Sequence, residues 1–243
     1  LDFALCFGLA SIAMLISWLF LAQTREPARE PEAAPATQRD FRQQLGTILR
    51  RDVNFRWFLV VRIIAQLGLM ATAFFTVYAV RRFSMSDQTA GVLTALYLIA
   101  QTLANPIMGW LGDRLGHRLM LELGSLVALI AATGAWLAPS LIWFYLIFVC
   151  AGIANVAFWT TSIAMTLEFG TITERPAYIG LANTLVAPAT LIAPLIGGWL
   201  ADHAGYNITF MVAAIGSGIA WFMTRFFMND PRKNHSLEQA LAS

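Results

Sequence analysis

The sequence predicts an all-α membrane protein: a six-helix bundle of two inverted three-helix repeats, preceded by one extra transmembrane helix. Three observations predict it. Seven apolar runs recur along the chain, at 1–22, 56–80, 89–111, 119–138, 141–166, 178–200 and 207–228. A helix of about 20 residues crosses the roughly 30 Å of hydrocarbon in a bilayer. Apolar residues make up 58% of the chain and charged residues 12%, about half the roughly 25% charge of a soluble domain. Finally, Gly109-Trp110-Leu111-Gly112-Asp113-Arg114-Leu115-Gly116 returns 89 residues later as Gly198-Trp199-Leu200-Ala201-Asp202-His203-Ala204-Gly205. The same offset carries Gly91 onto Gly180, Leu96 onto Leu185 and Ile107 onto Ile196.

Each run must be helical, because backbone polar groups in lipid have to be satisfied within the segment. The first element, 1–22, is therefore a transmembrane helix. Residues 23–55 form a polar linker carrying Arg25, Arg29, Arg39, Arg42, Arg50 and Arg51. Its first half, with Pro27, Pro31 and Pro35, reads as extended or disordered chain, and a plain solvated linker is the alternative for both halves. Its second half sets Phe41, Leu45, Ile48 and Leu49 at helical spacing among arginines, the pattern of a short interfacial helix. Residues 56–228 form the six-helix domain, and 229–243 form a tail with Arg232 and Lys233.

The cations orient these elements. Linker, tail, Arg114, Arg118 and Arg175 all fall on one face, and only Arg81 and Arg82 fall on the other. Cations are retained on the cytoplasmic side, so linker and C-terminus are expected inside. The six helices split into triplets, 56–138 and 141–228. Three is odd, so the second triplet enters from the opposite face. That is the inverted-topology repeat of many transporters.

The residues Gly109, Leu111, Asp113, Arg114, Gly116 and Arg118 resemble the loop signature of the major facilitator superfamily, G-x-L-x-D-R-x-G-R-R, in its copy between helices eight and nine. His117 stands in place of the first of the two final basic residues. The stretch 197–210 is similar to that family's turn between helices eleven and twelve. The resemblance implies the C-terminal half of the fold: 1–22 as helix six, 23–55 as the central cytoplasmic loop, then helices seven to twelve. Such transporters have two six-helix halves with the substrate site between them. The resemblance therefore implies a fragment of a secondary active transporter, ion-coupled or facilitative. It would move a small solute by alternating access, beside a missing N-terminal six-helix half. The expected location is the bacterial inner (plasma) membrane. A non-transporting sensor of the same fold, or a half-subunit needing a partner, is the alternative.

The resemblance also implies a conformational latch at Gly109, Asp113, Arg114, Gly116 and Arg118. Glu168 and Arg175 match a charge pair of the sugar-porter branch and are expected to join it through Arg114 or Arg118. The same arginines also suit a turn that merely holds orientation. Glu122, four residues after Arg118, suits an ordinary helical ion pair.

Ionisable groups inside a membrane invite a functional reading. Arg62 lies six residues beyond Arg56, about 9 Å along a helix, so it either lines a cavity or snorkels to the surface. Gln66 is one turn deeper on the same face. Tyr97, Gln101 and Asn105 make a polar stripe on one helix, Asn155 and Trp159 another, and Asn183 sits on a third. Each reads either as substrate pathway or as interhelical hydrogen-bond glue. In the family, their four helices border the central cavity, which favours the pathway.

Other function classes find no support. An intramembrane hydrolase needs clustered His, Asp or Glu, whereas His117, His203 and His235 fall in turns or the tail on different faces. No lysine lies in an apolar run to hold a Schiff-base chromophore. The net charge is only +2 and no basic run suits a phosphate backbone, so no nucleic-acid partner is expected. Cys6 and Cys150 read as packing residues, and no metal or cofactor is expected.

Overall fold

The computed structural model describes residues 2–24, 46–171 and 173–231. The chain divides into two compact units, Leu1–Phe41 and Arg42–Ser243. The first unit contains α1, Asp2–Ala22, a helix of 21 residues. Its Ser11 hydroxyl donates to the Phe7 carbonyl at 2.8 Å, which satisfies the side chain within its own helix.

In the second unit residues 46–51 are helical and form α2, with Ile48 buried. Phe41 and Leu45, expected on the same face, lie outside the described residues. Next come α3 (Val53–Leu69), α4 (Thr72–Phe83), α5 (Asp87–Leu115), α6 (His117–Leu137) and α7 (Trp143–Val156). A π-helical turn at Ala157–Thr161 leads into α8 (Ser162–Thr166), followed by α9 (Arg175–His203) and α10 (Tyr206–Phe226). All regular structure among the described residues is helical. Six stretches are long and apolar enough to cross a membrane: Val53–Phe83, Asp87–Leu115, His117–Leu137, Trp143–Thr166, Arg175–His203 and Tyr206–Phe226.

Several helices start or end beyond their apolar runs because hydrogen bonding, not hydropathy, sets an end. The Asp52 carboxylate accepts the Phe55 N–H at 2.8 Å and starts α3 early. Ser86 does the same for α5, accepting the Thr89 N–H at 3.3 Å. Both are N-caps, which supply an acceptor to an otherwise unpaired first-turn donor.

Small residues let the helices approach closely. Buried Ala128, Ala131, Ala132 and Ala135 face inward from α6, and Ala213, Ala214 and Ala220 from α10. A Cβ on Gly68 would strike the Ser217 hydroxyl, and one on Gly124 would strike Ala157. Between apolar helices in lipid, such close packing is the main attraction. Aromatic clusters fasten the two ends. Phe55, Phe58, Phe169 and Tyr178 gather at one, with Phe55 edge-on to Tyr178 at 4.6 Å. Phe75, Tyr78, Phe144 and Phe210 gather at the other, with Tyr78 edge-on to Phe210 at 5.1 Å. Helices α5 and α9 are the least buried spans, 22% in each case.

Candidate functional site

Two polar regions stand out: the end of the bundle holding Gly116, and a cavity at mid-depth.

Gly116 separates α5 from α6 with φ +95°, a backbone that residues with a Cβ rarely adopt. The turn swings His117 inward under Gly112, where a Cβ on that glycine would lie 2.8 Å from the imidazole. His117 is 7% exposed, and its Nδ1 lies 2.6 Å from the Glu168 carboxylate. Asp113, one turn earlier, is 4.0 Å from the other ring nitrogen, with its side chain 77% exposed. Arg118 turns to the last turn of α10. Its guanidinium donates to the carbonyls of Thr224 at 3.1 Å and Arg225 at 2.7 Å. Those carbonyls lack helical partners and carry the negative end of the helix dipole, so a cation there is favourable.

Neighbouring elements are tied together at this end, around a cavity of about 850 Å³. Asn54 and Asn229 exchange two hydrogen bonds of 2.8 Å, tying the start of α3 to the segment after α10. Arg51 donates to Glu174 at 2.8 Å, and that hydrogen bond holds the Glu174 carboxyl below its ordinary value. Tyr178 donates to Asp52 at 3.2 Å, so the cap of α3 also anchors α9.

The expected charge pairing is redistributed. Glu168 meets His117, not Arg114 or Arg118. Arg114 lies over the exposed Trp110 ring at 4.2 Å, a cation–π contact. Glu122 faces Arg225 at 3.7 Å instead of Arg118, because Arg118 is committed to the α10 carbonyls. Arg175 opens α9, exposed, and makes no ion pair among the described residues. Gly109 has open space where a Cβ would stand, so nothing packs closely there. Sequence reading missed His117. The signal available was its position, a histidine where the loop signature carries a stronger base.

The second region is a cavity of about 380 Å³ lined by Arg62, Gln66, Phe158, Trp159, Asn183 and Thr190, with Val186, Ala187 and Leu191. The π-helical turn delivers Phe158 and Trp159 to it. A π-turn widens the helix by one residue and is frequent at functional sites. Thr190 and Leu191 sit near the middle of the 29-residue α9, between Pro188 and Pro194. Arg62 is 8% exposed and turns inward, with its guanidinium 5.6 Å from the Phe58 ring centroid.

The eight polar candidates thus separate. Arg62, Gln66, Trp159 and Asn183 share the cavity. Gln101 donates instead to Asn155 at 3.1 Å. The Asn105 amide donates to the Gln101 carbonyl at 3.0 Å, and its oxygen accepts from Thr160 at 2.9 Å. These bonds join α5 to the segment running from α7 into the π-turn. Tyr97 is half-buried one turn before Gln101.

Six helices long and apolar enough to cross a membrane, with this charged turn and mid-depth cavity, have the build of a polytopic membrane protein. The profile of the Major Facilitator Superfamily matches residues 59–242, and the chain belongs to that superfamily. Multidrug resistance protein 1 of Bacillus subtilis is 23% identical over 186 residues, covering 76% of this chain and 47% of that protein. The class H tetracycline resistance protein of Pasteurella multocida is 27% identical, covering 60% of this chain and 36% of its own length. The fold is similar to the crystal structure of the Escherichia coli fucose:proton symporter. That match has a TM-score of 0.70 at 16% identity, covering 88% of this chain and 52% of that one. The chain thus spans about half the length, or less, of these relatives.

Proposed function

We propose that this chain forms the C-terminal half of a secondary active transporter that moves a small solute by alternating access. The observation that carries the reading is the cavity, where Arg62 and Gln66 of α3, Trp159 of the π-turn and Asn183 of α9 meet. Pockets of a few hundred Å³, mainly apolar with a few convergent polar groups, are the usual build of a small-molecule site. Polar groups at membrane depth are costly and are kept where they contact a solute or one another. On this reading α5 and α9, the least buried spans, border the path together with the rest of the transporter.

The Gly116 turn serves as the latch, on the cytoplasmic face with α2 and the tail. It joins three moving parts: the α5–α6 turn, Glu168 after α8, and the end of α10. An alternating-access cycle needs contacts of this kind that can be made in one state and broken in the other. Contacts to charged groups are worth about 1.5–3 kcal/mol, enough to shift a two-state balance tenfold or more.

The test is saturable flux by the complete gene product in proteoliposomes, over a panel of labelled carboxylates, sugars and lipophilic drugs. At least one class should be carried, and Asn183→Leu and Asp113→Asn should each abolish that flux at wild-type expression. Flux unaffected by both changes would remove the cavity and the latch from the mechanism. Absence of saturable flux for every class would favour a sensor over a carrier.

A further inference from the structure

Arg62 is the cavity's chemical peculiarity. A guanidinium stays protonated in any protein environment. Burying such a charge without a counter-ion costs several kcal/mol. Arg62 is nonetheless 8% exposed, and among the described residues no carboxylate lines the cavity beside it. The acids of the described spans stand at their ends: Asp87 and Asp113 on α5, Glu122 on α6 and Asp202 on α9. No ion pair among the described residues includes Arg62. Its guanidinium lies 5.6 Å from the Phe58 ring centroid, and a ring quadrupole offsets only part of a full charge.

The rest of the cavity completes the picture. Asn183 and Gln66 supply amide N–H groups that suit carboxylate oxygens. Trp159, Phe158, Val186 and Leu191 supply an apolar wall. A planar guanidinium fork binds carboxylate in a two-bond geometry that neither a neutral nor a cationic solute can reproduce.

We propose that the cavity takes an amphiphilic organic anion, its carboxylate paired with Arg62 and its apolar body against Trp159 and Phe158. This rests on the transport reading of the same cavity and adds the charge of the cargo. The solute supplies the counter-ion that the described residues lack at this depth, so a cavity empty of anion holds an unfavourable charge and a loaded one does not.

The test uses the complete gene product in detergent and three probes of one shape: 2-naphthoate, 2-naphthamide and 2-naphthylmethylammonium. Binding is read by thermal shift and by equilibrium dialysis. The expected result is naphthoate binding at least tenfold tighter than either analogue. Arg62→Gln should abolish that preference, and Arg62→Lys should restore part of it. Without ligand, Arg62→Gln should leave the melting temperature unchanged or raise it, because an uncompensated buried charge has been removed. A marked fall in melting temperature would instead identify Arg62 as half of a structural ion pair and overturn the proposal. Equal or tighter binding of the amide or the ammonium, lost in Asn183→Leu, would overturn the anion while leaving the cavity as the solute site. No naphthoate binding at millimolar concentration would also overturn it, and the flux assay would then decide the transport reading on its own.

Discussion

Gly116 and Gly205 close the same turn in the two copies of one sequence pattern. Gly116 has φ +95° and ψ +138°, Gly205 φ +85° and ψ +162°. Their surroundings differ. Gly116 lies against the Asp230 carboxylate, whereas Gly205 has nothing within 4 Å of where a Cβ would stand. Beyond Gly116, His117 is buried against Glu168 and Arg118 caps α10. The matching positions beyond Gly205 hold Tyr206 and Asn207. Tyr206 packs among Tyr78, Phe74 and Phe210, with Arg81 5.7 Å from its ring centroid. The exposed Trp199 stacks on His203 at 5.0 Å. The shared residues therefore encode a helix stop and a reversal. The partners that make the charged network lie outside the repeated pattern, in the turn after α8, at the end of α10 and in the segment after it.

Four expectations can break or sharpen this contrast. The largest concerns the glycines. Alanine at position 205 should cost about 1–3 kcal/mol for its backbone conformation alone. Gly116→Ala should cost that much plus about 1 kcal/mol or more, because Asp230 must be displaced. Thermal unfolding of both variants under one condition measures the difference; equal losses would mean the two turns are equally open.

Next is the buried pair. Glu168→Gln should lower stability by about 1.5–3 kcal/mol, while His203→Ala in the second copy should stay within about 0.5 kcal/mol of wild type. A neutral result at Glu168 would reduce the His117 contact to simple proximity.

Smaller still is the cap. Arg118→Ala should cost about 1–2 kcal/mol through the lost bonds at the end of α10. Asn207→Ala should cost about 0.5 kcal/mol or less. Hydrogen exchange of the last turn of α10 provides the local readout, and unchanged protection there would refute the capping role.

The smallest effect is a pH dependence at the same end. The Arg51 hydrogen bond depresses the Glu174 carboxyl below its ordinary value of 4.5. A depressed carboxylate stabilises the fold above its unfolded value and loses that contribution as the pH falls through the folded one. Glu174→Gln should therefore lower the melting temperature slightly at neutral pH and not at all well below pH 4.5. With Arg51 57% exposed, screening keeps the change small. A deficit that persists at low pH would trace instead to the bonds that Glu174 accepts from the Thr171 N–H at 3.2 Å and hydroxyl at 3.3 Å.

Much of the fold was legible because its signals are local. Hydropathy located Asp87–Leu115 and Tyr206–Phe226 to within a few residues, and Gly116 announced its turn. The polar residues were legible as a set but not as partners. Gln101, Asn105 and Asn155 looked like Arg62, Gln66, Trp159 and Asn183, since all are polar groups in apolar helices. The fold sends the first three into bonds between helices and the other four into a cavity. The family resemblance pairs Glu168 with an arginine, and the fold gives it His117.

The sequence by itself determined the six spans between Val53 and Phe226, the turns at Gly116 and Gly205 and the superfamily, because helix length, glycine conformation and repeat spacing are properties of neighbouring residues. Only the tertiary structure decided which side chains meet. A membrane helix such as α7 is apolar on nearly every face, so its hydropathy does not fix its rotation about its own axis. Packing against small residues does. Gly124 against Ala157 and Gly152 against the Tyr97 carbonyl set the positions of α6, α7 and α5. That rotation sends Asn155 toward Gln101 and, through the π-turn, Trp159 toward Arg62.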